Sequence, residues 1–310
     1  MRANAACYAS PMALTDNMRG AAFMAAGMTA FTVNDAFVKA LGGEMPVFQI
    51  IFLRGLGVTA GLILLAAALG HLRLRQSARD WRLMLIRALA EAAGAFLFIT
   101  ALTHMPIANV SAILQALPLT VALAGALFLK EPLGWRRLSA ILIGFAGVML
   151  IVRPGGADFN QYSIFALATV AVVTLRDLVV RRMSKEVPSV LVSLSASVVV
   201  TVTAGAAALF VEWSPIGGRE AGLLGCAMLS LIGGYIFSVA AMRSGELGFV
   251  APFRYTSLLV ALVIGVAVFG EVPRLLTLLG AAIVMGTGLF TLWRERRLRL
   301  RRPMVPDRIR

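Results

Sequence analysis

Residues 31–46 read FTVNDAFVKALGGEMP and residues 173–188 read VTLRDLVVRRMSKEVP. Placed 142 positions apart, Thr32, Asp35, Val38, Glu44 and Pro46 meet Thr174, Asp177, Val180, Glu186 and Pro188, and Lys39 meets Arg181. Five identities in sixteen is well above coincidence. A second match follows at a shift of 140, where GALFLKE (125–131) falls on GVAVFGE (265–271). The chain therefore reads as two copies of one unit, a period that has to be recognised before any single element is assigned.

Composition says what kind of unit it is. Of 310 residues, 59% are hydrophobic and 14% charged, against roughly 45–50% and 25% in soluble domains. Mean hydropathy is +0.86. Too little polar material is present to cover a soluble fold of this size, which leaves a multi-span membrane protein. Apolar windows long enough to cross a ~30 Å hydrocarbon core fall at about 20–41, 46–69, 81–103, 106–129, 136–152, 162–180, 189–211, 221–243, 247–269 and 275–293, the fifth being short. Each copy thus holds five spans. Five is odd, so the second copy runs through the membrane the opposite way. The expected fold is an all-α membrane protein of ten transmembrane helices, built as two five-helix inverted-topology repeats, a plan that permits alternating access around a midplane site.

Charge sets the expected orientation. With the N-terminus in the cytoplasm, 21 basic residues lie on the cytoplasmic side and four (Lys39, Arg153, Arg219 and Arg274) outside. The cytoplasmic set includes Arg73, Arg75, Arg79, Arg82, Arg181, Lys185 and eight tail arginines. The net charge of +14 then reads as a topology signal, and no nucleic-acid partner is expected. Residues 1–19 are expected as a cytoplasmic N-terminal segment, 20–152 and 162–293 as the two repeats, and 294–310 as a basic cytoplasmic tail anchoring the last span. The localisation expected is an inner (plasma) membrane, with the charge pattern placing both termini inside; the bacterial setting comes only from the family resemblance described next. The partners are a small-molecule solute and the bilayer, and the oligomeric state stays open.

Residues 101–154 carry an A-L-x-x-x-P-x-A-x-V-x-x-I opening, Pro118 in mid-helix, a Glu131-Pro132 turn and a final span with Gly144 and Gly147. This segment resembles the repeat unit of the drug/metabolite transporter superfamily, EamA type. Residues 241–292 repeat it more loosely, with Glu271 kept, Pro273 one place late and Leu258 where the helix proline would stand. The resemblance implies ten helices, both termini inside, and a solute path between the halves. FTVNDAFVK (31–39) and APFRYTSLL (251–259) also resemble a bacterial branch that includes S-adenosylmethionine and riboflavin uptake carriers. Within transporters, a drug exporter remains the alternative.

The chemistry lies in the few charges inside spans. A charge at the bilayer centre costs about 2.5–3.5 kcal/mol on insertion scales, so it is normally paired or faces a wet cavity. Glu91 sits near the middle of its span, with Arg87 four residues before it and able to pair on one helix face. Arg54 and Arg254 lie some seven or eight residues deep, whereas Arg176 is close enough to its span's end to snorkel. The deep charges do not repeat: Arg54 aligns with Ala196, Glu91 with Leu231 and Arg254 with Leu114. A scaffold that can be built without them points to a solute site of Arg54, Glu91 and Arg254, with Tyr255 and Gln115 as secondary contacts. Two arginines and a carboxylate suit an anionic or zwitterionic solute. A purely structural salt-bridge network is the competing reading. Glu91 could also carry a proton, a role that pairing with Arg87 opposes.

The repeated charges read differently. Asp35 with Lys39, and Asp177 with Arg181, are spaced i, i+4 for same-face ion pairs, and are expected to hold or gate the first and sixth helices. Glu131 and Glu271 join them as structural residues. His71 and His104, Cys7 and Cys226 are too scattered for a metal site or a disulfide framework. No P-loop, GxGxxG or catalytic triad spacing is present, so no cofactor, metal or catalytic residue is expected. An intramembrane enzyme and a channel or scaffold remain the alternative classes.

Overall fold

The computed structural model describes residues 11–301 apart from 69, 71–75, 132, 157, 158, 185, 245 and 246. Arg2, Cys7, His71, Arg73, Arg75, Pro132, Lys185 and the tail beyond Arg301 lie outside the described residues. Twelve α-helices follow in order: α1 Pro11–Leu41, α2 Val47–Ala68, α3 Ala78–His104, α4 Ile107–Leu114, α5 Leu117–Leu129, α6 Trp135–Val152, α7 Gln161–Val180, α8 Ser189–Ala208, α9 Gly218–Ser244, α10 Leu247–Val250, α11 Thr256–Phe269 and α12 Leu275–Arg301, with a 3-10 turn at Ala251–Tyr255 before α11. Among the described residues, ten segments are long and apolar enough to span a bilayer. They coincide with the ten windows read from sequence.

Two spans are interrupted. Pro118 has no amide hydrogen and its ring crowds the carbonyl four residues back, and α4 ends at that residue, Leu114. In the ninth span the interruption comes earlier, at Pro252 inside the 3-10 turn. Gln115 Nε2 donates to Ser257 Oγ at 2.7 Å, tying the two interrupted spans together.

Helix packing keeps its pattern when the halves are exchanged. Helix α1 packs along α9 and α7 along α3, the corresponding pair. Helices α2 and α8 pack on each other, as do α6 and α12. Where α2 crosses α8, Thr59 and Thr201, one repeat apart, bring their hydroxyls to 3.2 Å, and Thr59 Oγ1 also meets Ser197 Oγ at 2.7 Å. Where α6 crosses α12, Gly147 and Gly280 let the two backbones meet: a Cβ added at Gly280 would lie 2.5 Å from the Gly147 carbonyl oxygen. Small residues at such crossings permit this approach, which dispersion and weak polar contacts then stabilise in lipid. These contacts are consistent with two equivalent halves.

Candidate functional site

Between α2 and α3 of the first half and α8 and α9 of the second lies a cavity of about 80 Å³. Its polar wall is Arg54, Arg87, Glu91, Ser193, Ser197 and Tyr235, and Ile51, Val58, Val200 and Leu231 supply the apolar remainder. At a water's share of ~30 Å³, it has room for a few waters. Tyr235 is held by the edge-to-face ring of Phe31, centroids 5.5 Å apart.

The charges around the cavity form two chains. In the first, Arg54 Nη1 donates to Asn34 Oδ1 at 3.2 Å, and Asn34 Nδ2 donates to Asp35 Oδ1 at 2.9 Å. In the second, Arg176 Nη1 donates to both oxygens of Glu91, at 3.3 and 3.2 Å, and Arg176 Nε donates to Asp177 Oδ1 at 2.9 Å. Arg87 Nη2 stands 3.6 Å from Glu91 Oε2, and its Nη1 donates to the Val192 carbonyl at 3.2 Å. Glu91 is therefore shared by two guanidinium groups. Hydrogen bonds to ionised groups are worth about 1.5–3 kcal/mol each, so these chains hold the cavity walls firmly in the membrane interior.

Two further ion pairs lie away from the cavity wall. Lys39 Nζ lies 2.9 Å from Glu271 Oε1, and Arg181 Nη1 lies 2.8 Å from Glu131 Oε1. Each pair joins the two halves, and each is the repeat counterpart of the other. Both glutamates are presented by the same helix cap. Lys130 and Gly270 adopt the left-handed conformation with φ of 55° and 65°. The amides of Glu131 and Glu271 then return to the carbonyls of Gly125 and Gly265, at 3.2 and 2.8 Å. Each bond spans six positions, one more than the 6→1 bond of a Schellman cap, and ties the left-handed residue's neighbour back to the last turn of its helix. A Cβ at position 125 would stand 2.7 Å from Glu131 Oε2, so the carboxylate would have to swing aside.

A profile of the EamA-like transporter family matches residues 18–153 and again residues 161–293. The chain belongs to that family. It is similar to the S-adenosylmethionine uptake transporter of Rickettsia felis, 25% identical over 92% of this chain and 96% of that one. The riboflavin transporter of Vibrio cholerae is 28% identical over 78% and 82% of the two chains, and the pseudopaline exporter of Pseudomonas aeruginosa is 26% identical over 82% and 89%. One crystal structure superposes with a TM-score of 0.62 over 89% of this chain and 98% of its own, at 21% identity, which shows a shared fold. The protein is thus a multi-pass membrane transporter of the drug/metabolite superfamily and not an enzyme.

Within this EamA-type transporter the expected site residues divide. Arg54 and Glu91 line the cavity. Arg254 is exposed on the 3-10 turn and takes no part in the cavity wall. Tyr255 is buried with its ring against Gly288, and Gln115 is spent on Ser257. The i, i+4 pairs expected from sequence do not form: Lys39 and Arg181 reach across to Glu271 and Glu131, while Asp35 and Asp177 bond the residues preceding them. Arg176 does not snorkel to the interface; it bridges Glu91 and Asp177. Sequence reading passed over Asn34, Ser193, Ser197 and Tyr235, since a lone polar residue in a span reads as an ordinary interhelical bond.

Proposed function

We propose that this transporter moves a small anionic or zwitterionic organic solute by alternating access between its halves, with the cavity as the solute site. The observation that carries this reading is the placement of Arg54, Arg87 and Glu91 on one cavity between the halves, and two repeat-related ion pairs between the halves support it. Arg54 would take the solute's anionic group and Glu91 a cationic or donor group, with Ser193, Ser197 and Tyr235 as hydrogen-bonding wall. Lys39–Glu271 is the outer gate and Arg181–Glu131 the inner one. The relatives named for S-adenosylmethionine and pseudopaline support an organic solute, and S-adenosylmethionine, with its amino-acid end, is the first to try.

Solute counterflow in proteoliposomes tests this directly, since neither an enzyme nor an open pore gives counterflow. Arg54→Gln and Glu91→Gln, each removing a charged hydrogen-bonding group worth about 1.5–3 kcal/mol, are expected to fold and to lose at least ~10-fold in kcat/KM. Normal transport by both would remove the cavity from the mechanism, and failure of both to fold would favour the purely structural network.

The orientation has its own test. Single cysteines at Arg75 and at Glu212, in a variant without Cys7 and Cys226, should label differently with an impermeant maleimide on intact cells. Position 212 should react and position 75 should not; the reverse pattern would invert the gates.

A further inference from the structure

Asn34 and Arg176 occupy one repeat position, 142 residues apart, each immediately before an aspartate. They differ in type, so the comparison of halves passes over them, yet they bond alike. Asn34 donates to Asp35 and Arg176 to Asp177, both at 2.9 Å. Each also meets a charge of the cavity wall: Arg54 donates to Asn34 at 3.2 Å, and Arg176 donates to Glu91 at 3.2 Å. Five residues further along the same helix stands a gate cation, Lys39 on α1 and Arg181 just past the end of α7. Five residues of helix rise only ~7 Å, a stiff distance. A pull at residue 34 or 176 therefore moves the gate cation with it.

We propose that these are two separate relays, so that the two charged ends of one solute act on opposite gates. The cavity cation Arg54 is coupled through Asn34 on α1 to the Lys39–Glu271 gate. The cavity anion Glu91 is coupled through Arg176 on α7 to the Arg181–Glu131 gate. Asn34 and Arg176 are positioning residues in this scheme, which rests on the gates and cavity assigned above. A solute carboxylate on Arg54 competes with the Asn34 carbonyl oxygen for guanidinium hydrogens and loosens α1. A solute ammonium on Glu91 competes with Arg176 and unties α7 from α3, while Arg87 keeps Glu91 paired from its own helix at 3.6 Å. A ligand shifts a conformational balance only by its unequal affinity for the two states. A solute with a single charge would then bias one gate, and a zwitterion both.

The relay can be read without any solute. Leu129 and Phe269 are repeat counterparts, each two residues before a gate glutamate, and serve as single-cysteine reporters in a variant lacking Cys7 and Cys226. Labelling by an impermeant methanethiosulfonate is followed on intact cells for position 269 and on inside-out vesicles for position 129. Arg176→Gln and Glu91→Gln are expected to raise labelling at 129 by about fivefold or more and to leave 269 within about twofold, and Asn34→Ala and Arg54→Gln to do the opposite. Arg176→Lys, which keeps the charge, should restore most of the wild-type rate. Where a variant does not fold, Asp35→Asn and Asp177→Asn substitute for it, with the same split by side. Variants that move both reporters equally, or neither, overturn the relay. Loss of counterflow in Arg54→Gln and Glu91→Gln without a split would keep the solute site and remove the relay. A split in a protein that gives no counterflow would keep the relay and remove the solute reading.

Discussion

Lys39→Gln will destabilise the transporter by up to about 3–5 kcal/mol, the upper bound being the loss when one partner of a fully buried pair is removed. Arg181→Gln, at the counterpart position, will cost no more than ~1 kcal/mol, as exposed pairs do. The side chains of Lys39 and Glu271 are 10% and 20% exposed, against 40% and 39% for Arg181 and Glu131. Lys39 also donates to the carbonyls of Leu102 and Met105, and its ammonium stands 5.5 Å from the centre of the Phe269 ring. The second oxygen of Glu271 accepts from the Ile107 amide at 2.8 Å, at the start of α4. Removing Lys39 thus takes a donor from two carbonyls and leaves the carboxylate with the Ile107 amide and no counter-charge. Unfolding in detergent or nanodiscs measures the difference; equal losses in the two variants would show that burial does not separate the two pairs. In the proposed cycle, the Lys39 end would then be the harder one to open.

Gly280→Val is expected to cost at least ~1–3 kcal/mol, the usual range for overpacking, and to lower the yield of folded protein sharply. The added Cβ would stand 2.5 Å from the Gly147 carbonyl oxygen and 2.8 Å from Ile151 Cγ1. The first is backbone and cannot swing aside, so α6 and α12 must separate along their crossing. Gly286→Val, on the same helix with nothing within 4 Å of its Cβ position, should be tolerated and is the control. Comparable thermal stability of the two variants would show that the crossing is slack. Because α6 and α12 are the closing helices of the two halves, loosening them is expected to depress transport as well as stability.

The position of the spans was legible because hydropathy is a local property. A stretch such as 162–180 is apolar whatever surrounds it, and α7 duly runs Gln161–Val180. The duplication was legible for a similar reason: GALFLKE and GVAVFGE encode the same local cap, and in both the glutamate amide returns to the glycine carbonyl six residues back. Pairing across helices was not legible. The i, i+4 rule joins Asp35 to Lys39 because it considers one helix alone, whereas the rotation of α1 against its neighbours turns Lys39 toward Glu271 and leaves Asp35 to Asn34. The same limit governs depth. Counting residues from the span end made Arg176 a snorkelling side chain and Arg254 a buried one; packing of α7 on α3 draws Arg176 inward to Glu91, and the turn at Pro252 leaves Arg254 exposed. Sequence by itself determined the number of spans, the repeat and the chemistry available in the membrane. The tertiary structure alone decided which charges meet, because that depends on the mutual rotation of helices, a quantity that no single segment encodes.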